Sequence, residues 1–134
     1  MSLLKLLKGQ AHGQALLEMA LVLPILLLLL MGIIDFGRII ASGLQINNLT
    51  REAVRAGVVG YSDSEIEALI FARESWLEED KIVITIDPDE ETGRIKGDPL
   101  SVTIDYSVEI ITPLMANLLT NPWPVSAQCL MRVE

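Results

Sequence analysis

Hydrophobic positions along this chain change their periodicity at about residue 35. From Met19 to Ile34 the sequence reads "MALVLPILLLLLMGII", with no polar side chain. Extended back to Ala15, the run reaches the roughly 20 residues that a helix needs to cross the hydrocarbon core of a bilayer. After Arg38 the apolar positions thin to a stripe. Ile39, Ile46, Leu49, Ala53 and Ala56 recur at spacings near three and four, with Ser42 filling a gap, while Gln45, Asn48, Arg51 and Glu52 fall mostly elsewhere. The spacing predicts one helix from about Gln14 to Val59, about 65–70 Å long at 1.5 Å per residue. Its first half is greasy all round and its second half amphipathic. Pro24 lies inside the greasy half, where it removes one backbone donor and is expected to kink or loosen the helix. Gly32, Gly37 and Gly43 either let neighbouring helices approach closely or mark looseness at the membrane exit.

A second helix is predicted within "GYSDSEIEALIFARESWLEED". Ser64 and Glu67 fit a capping box, and Ile66, Leu69, Ile70, Arg73 and Trp76-Leu77 keep helical spacing, which puts Trp76 in the core. "KIVITID" and "PLSVTIDYSVEII" alternate as strands do. In the second, Val102, Ile104, Tyr106, Val108 and Ile110 share one face; Thr103, Asp105, Ser107 and Glu109 share the other. A last strand, about Val125 to Val133, aligns Val125, Ala127, Cys129, Met131 and Val133, so Cys129 reads as a small buried apolar residue. "TPLMANLLTNPWP" between these strands reads as a short helix or turn and loop, with Trp123 as a lid over the core.

Charge narrows the function classes. Eighteen acidic residues against 10 basic ones give a net charge of −8, which argues against nucleic acid as a partner, since phosphate binding needs a basic face. With 134 residues, the chain holds one domain at most plus an anchor. The lone Cys129 excludes an intramolecular disulfide or a cysteine metal cluster, and the single histidine, His12, precedes the greasy run. No Gly-rich phosphate loop, HExxH or serine nucleophile with a local base is visible, so no catalytic residues, cofactor or metal ligands are assigned and the chain reads as a non-enzyme. Asp87, Asp89, Glu90, Glu91 and Asp98 offer hard oxygens of the kind calcium takes, but they lack EF-hand spacing, and Arg94 and Lys96 lie among them. That loop reads as charged and solvated.

Lys5 and Lys8 precede the greasy run, so the positive-inside rule puts the N-terminus in the cytoplasm and everything after Asp35 outside. A secretory signal peptide would need a shorter apolar core, and the small residues of "IIASG" at 39–43 are separated from the core by Asp35 and Arg38. A permanent single-pass anchor carrying an extracytoplasmic ligand-binding domain explains the length and orientation, but not Glu18. An ionisable group inside a bilayer segment points to function.

A short basic leader, Gly13, a glutamate five residues later and a long apolar helix together resemble the type IV prepilin signal. The longer stretch "GQALLEMALVLPILLLLLMGIIDFGRII", followed by "LTREAVRAG", resembles the TadE-like pseudopilins of tight-adherence (Tad) secretion systems. The features that carry the resemblance are Gly13 to Glu18, Pro24, Asp35 to Arg38, Arg51 to Gly57, and Met131-Arg132. One departure from common prepilins is Gln14, where an aromatic residue usually follows the cut. The resemblance implies cleavage between Gly13 and Gln14 by a prepilin peptidase, which removes Lys5 and Lys8 and takes the net charge to about −10. It also implies that Glu18 neutralises the new α-amino group of a neighbouring subunit's Gln14, offsetting the desolvation of both charges.

The expected protein is therefore an α+β, pilin-like subunit with a long helix, a short helix and a small antiparallel sheet of about three strands. Residues 1–13 form the leader, 14–36 the transmembrane half of the helix, 37–60 its amphipathic continuation and 61–134 an extracytoplasmic domain. The resemblance implies a minor pilin or pseudopilin of the inner membrane, with places in a surface filament and in cell adhesion. Its implied partners are the prepilin peptidase, other pilins, the membrane assembly platform and the lipid bilayer.

Overall fold

Leucine, alanine and lysine favour helix, and no proline precedes Pro24. The computed structural model describes residues 3–73, 76–90 and 93–133, with side chains from Gly13 onward. Its first element is one helix, α1, Leu3–Val58. The helix starts at Leu3, earlier than the Gln14 expected from apolar periodicity, because the leucines and lysines of residues 3–8 are themselves good helix formers. It continues through Pro24 as a single element. α1 ends in a Schellman turn. Gly60 takes φ +99°, its N–H donates to the Gly57 carbonyl, and the Tyr61 N–H donates to the Ala56 carbonyl, both at 3.2 Å. Glycine adopts this left-handed conformation without steric cost.

That turn sets the start of α2, Asp63–Arg73. The capping box forms at Ser62 and Glu65, two residues before the expected Ser64 and Glu67. The Ser62 N–H donates to Glu65 Oε2 at 2.9 Å, and the Glu65 N–H donates to Ser62 Oγ at 3.3 Å. Both pairs have the right spacing, but the chain leaving Gly60 places Ser62 at the helix start. Ile66 and Ile70 are buried as expected. Trp76 is a correction: it is 47% exposed, and Leu77 is the buried residue. Helical spacing stops being informative once α2 ends at Arg73.

A three-stranded antiparallel sheet covers one side of α1, with strands in the order β1 (Ile82–Asp87), β2 (Pro99–Val108) and β3 (Trp123–Arg132). A single 3₁₀ turn, Glu79–Lys81, leads into β1, and α3, Pro113–Leu118, lies between β2 and β3. In β2 the expected alternation holds: Val102, Ile104, Tyr106 and Val108 are buried, with Leu100 before them and Ile110 after. The register sets Ile104 between Ile84 and Ala127, and Val102 between Ile86 and Cys129. Against this face α1 lays Ile46, Leu49, Ala53, Val54 and Ala56. A side chain such as Ile46 or Ile104, fully removed from water, contributes about 1.5–3 kcal/mol. In β3, Ala127 is buried, while Val125, Cys129 and Val133 are partly buried against the core. Cys129 is thus less covered than expected, and Met131 is exposed beside Asn48, Arg51, Glu52 and Arg55 on the polar side of α1. Trp123 is partly buried and opens β3 opposite Val108.

Three close approaches fix how the domain lies along α1. A Cβ built on Gly57 would meet Leu100, one on Gly43 would meet Val125, and one on Gly32 would meet Met115. The sheet and α3 therefore run down the helix from its C-terminal end toward the apolar run. The contact at Gly57 is the tightest, with a Cβ only 2.5 Å from Leu100 Cδ2 and 3.1 Å from Ile66 Cδ1. Overpacking there outweighs the ~1 kcal/mol that alanine gains over glycine in a helix. Gly57→Ala is expected to destabilise by about 1–2 kcal/mol. Gly37→Ala meets nothing within 4 Å among the described residues and is expected to stabilise by up to ~1 kcal/mol. Thermal unfolding of the two variants in detergent checks the opposite signs.

Candidate functional site

The three residues singled out from the sequence lie together on the bare part of α1. Gly13 and Gln14 are exposed helical residues, and Glu18 follows Gln14 by one turn. Gln14 Nε2 donates to Glu18 Oε1 at 3.4 Å, a long bond between neighbours four residues apart. Among the described residues no lysine or arginine pairs with Glu18. A Cβ on Gly13 would meet nothing within 4 Å among them. Neither residue therefore has a packing role within the described chain.

From Leu16 to Ile34 the large apolar side chains of α1 are exposed, because the domain reaches no further down than Gly32 and Met31. Among the described residues one helix, Gly13–Val58, is long and apolar enough to cross a membrane. Apolar exposure continues past the run, with Phe36, Ile40 and Leu44 at intervals of four on the uncovered side of α1.

The exit motif Asp35 to Arg38 has a structural task that its sequence did not reveal. Asp35 is buried, and its carboxylate accepts the Ile111 N–H at 3.1 Å and the Thr112 N–H at 2.9 Å. These are backbone donors at the start of α3, which has no N-cap side-chain bond of its own. Arg38 Nη1 lies 3.8 Å from Asp35 Oδ1 and donates to the Glu109 carbonyl at 3.0 Å. Two side chains one turn apart on α1 thus hold the main chain between β2 and α3. Spacing could show that Asp35 and Arg38 share a helix face, but not that residues some seventy positions later supply their partners.

At the opposite end of the domain, the acidic loop is tied down. Arg94 donates from Nη1 to the Tyr61 carbonyl at 2.7 Å and pairs through Nη2 with Asp63. Asp63 and Glu90 exchange backbone-to-carboxylate bonds at 3.0 and 3.3 Å. Burial lowers the Arg94 pKa from its ordinary value but leaves the guanidinium charged. The loop expected to face water is therefore fastened by its own arginine to the start of α2. Among the described residues no group of three or more His, Cys, Asp or Glu is placed to hold a metal ion; Glu91 lies outside them. Lys81 bridges Glu78 at 2.7 Å and Glu109 at 3.1 Å. The Glu78 hydrogen bond, then that from Glu109, raises its pKa above the ordinary lysine value.

One apolar helix with an α+β domain packed on its second half defines the class: an α+β protein built around a single long helix, bare at one end. The family model described as TadE-like protein matches residues 13–55, which lie within α1, so the resemblance read from the sequence is shown for that segment. This family is a structural component of Tad pili and not an enzyme family. No curated protein and no solved structure matches the chain.

The exit motif gives a direct test. Asp35→Ala leaves the buried Thr112 N–H without an acceptor, at about 1–3 kcal/mol, and the part-buried Ile111 N–H without one at a smaller cost. Asp35→Asn keeps one carbonyl acceptor and should lose less. The order wild type, Asn, Ala is expected in thermal unfolding, with earlier proteolytic separation of the domain from α1 in the alanine variant.

Proposed function

We propose that the chain is a minor pilin or pseudopilin of a Tad-type pilus or secretion machine, cut between Gly13 and Gln14 by a prepilin peptidase. The observation that carries this reading is the Gly13–Glu18 pair on a helix surface, where nothing described packs against Gly13 and no described cation pairs with Glu18. A glycine with open space around it suits a bond that a peptidase must approach closely. A glutamate with no cation of its own suits a partner arriving on another chain.

The charges are complementary. Cleavage creates an α-ammonium at Gln14, about 6 Å along the helix axis from Glu18. Both groups are costly in an apolar setting when single, and each is less so when a neighbouring subunit supplies the opposite charge. Shifted in register along a bundle, one chain's Glu18 meets the next chain's Gln14 amine. The exposed side of α1 with Phe36, Ile40 and Leu44, and Gly37 between them, offers a packing seam for further helices of the same kind. The leader lysines place the N-terminus on the cytoplasmic face and the domain outside. The partners in this reading are the peptidase, other pilins and the membrane platform that moves subunits between bilayer and filament. A permanent anchor with a ligand-binding domain would use neither Gly13 nor Glu18.

Intact mass and N-terminal sequencing of the chain from membranes of a host that carries its own secretion genes test the processing step. A chain beginning at Gln14 is expected; one beginning at Met1 or Ser2 would overturn the assignment. Gly13→Leu should remain uncut. Glu18→Ala should insert and be cut normally but fail to co-assemble with partner subunits, as read by co-purification. Wild-type co-assembly of that variant would remove the pairing argument.

A further inference from the structure

The domain distributes its charge unevenly along α1. At the far end Asp63, Glu90 and Arg94 gather around the Gly60 turn. At the near end no charged side chain occurs between Glu109 and Arg132. That stretch contains α3, which packs Met115 against α1 at Gly32, three residues before Asp35 and inside the apolar run. Residues 13–34 cover roughly 33 Å of helix axis, close to the ~30 Å thickness of bilayer hydrocarbon. Gly32, and α3 beside it, therefore lie at the level where hydrocarbon gives way to headgroups.

The outer surface of this stretch is apolar. Ile111, Leu114 and Leu118 are 58%, 58% and 78% exposed, and Ile111 lines one apolar hollow together with Met31 and Ile34 of α1. Single exposed leucines are ordinary on a protein surface, but a contiguous cluster marks a contact. Two of the polar side chains here are spent on the segment's own backbone. Asn117 Nδ2 donates to the Pro113 carbonyl at 2.9 Å, and Asn121 Oδ1 accepts the Ile110 N–H at 3.1 Å. Trp123 stands at the same end of the sheet, opposite Val108, and tryptophan is enriched where membrane meets water. The chain carries a net charge of −8, so an anionic bilayer surface repels the acidic remainder of the domain and admits residues 110–131, which carry no charge. Beside them, Asp35, Arg38 and Glu109 are held in hydrogen bonds or ion pairs.

We propose that α3 and its flanks, residues 111–124, seat in the headgroup–acyl boundary of the membrane that α1 crosses. This second lipid contact, with the Asp35 and Arg38 clamp, sets the tilt of the domain over the bilayer. The proposal rests on the reading of α1 as membrane-spanning. Lipid is the occupant because the cluster continues, at the same depth, the apolar surface that the span itself presents to lipid.

The test is nitroxide depth measurement on the full-length chain in phosphatidylcholine–phosphatidylglycerol vesicles. In a Cys129→Ser background, single labels are placed at Leu118→Cys, at Ile95→Cys in the charged far loop and at Leu27→Cys in the span. Collision with oxygen, which favours lipid, is compared with collision with a water-soluble nickel chelate. The expected result is oxygen dominance at 27 and 118 and chelate dominance at 95. A lipid-like 27 with a 118 as open to the chelate as 95 would overturn this proposal alone. A 118 shielded from both reagents would also overturn it, in favour of a second protein copy on the patch. A water-exposed 27 would overturn the membrane-spanning reading and this proposal with it.

Discussion

The arrangement of the domain depends on one buried carboxylate. Asp35 ends the apolar run and accepts the Ile111 and Thr112 N–H groups. A charge at this position is costly in lipid and useful just outside it, where unpaired backbone donors can hold it. Arg38 adds a second hold one turn later, on the Glu109 carbonyl. Without these contacts the end of β2 and the start of α3 would have no polar attachment to α1 among those described here. With them, the near end of the domain is fixed at the depth where the helix changes from greasy to amphipathic.

Between that clamp and the Schellman turn at Gly60, the structure is a helix and a sheet sharing one apolar seam. β2 contributes Leu100, Val102, Ile104, Tyr106 and Val108, and α1 answers with Ile46, Leu49, Ala53, Val54 and Ala56. Glycines at 32, 43 and 57 let the layers approach where side chains would otherwise separate them. The polar attachments sit at the two ends, Asp35 with Arg38 near the apolar run and Asp63 with Glu90 and Arg94 at the far turn. Such an arrangement keeps the middle of the seam free of buried charge, where an unpaired group would cost most.

Local patterns in the sequence read well where local physics decided the outcome. The span, the amphipathic stripe from Ile46 to Ala56 and the inward face of β2 all follow from residue periodicity, because burial on one face is a local constraint. The misses share a different cause. Ser62 displaced Ser64 as the cap because the Gly60 turn set where α2 could begin. Trp76 fell outside the core because α2 stopped at Arg73. Arg94 left the solvent because Tyr61 and Asp63, brought near by the same turn, offered better partners. The first two were settled where a helix ends, at Gly60 and at Arg73, and the third by partners more than thirty residues away.

The candidate processing and assembly residues divide along the same line. Gly13 and Glu18 are defined by spacing along one helix, so the sequence alone determined their relation, the apolar span that follows them and the three strands beyond. The fold added that neither has a packing role within the described chain. Only the tertiary structure decided what the Asp35 to Arg38 motif holds and where α3, with its uncharged flanks, rests against the apolar run. Periodicity along the chain reports which face of an element is apolar. Which other element meets that face is fixed by contacts between residues far apart in sequence, and those exist only once the chain has folded.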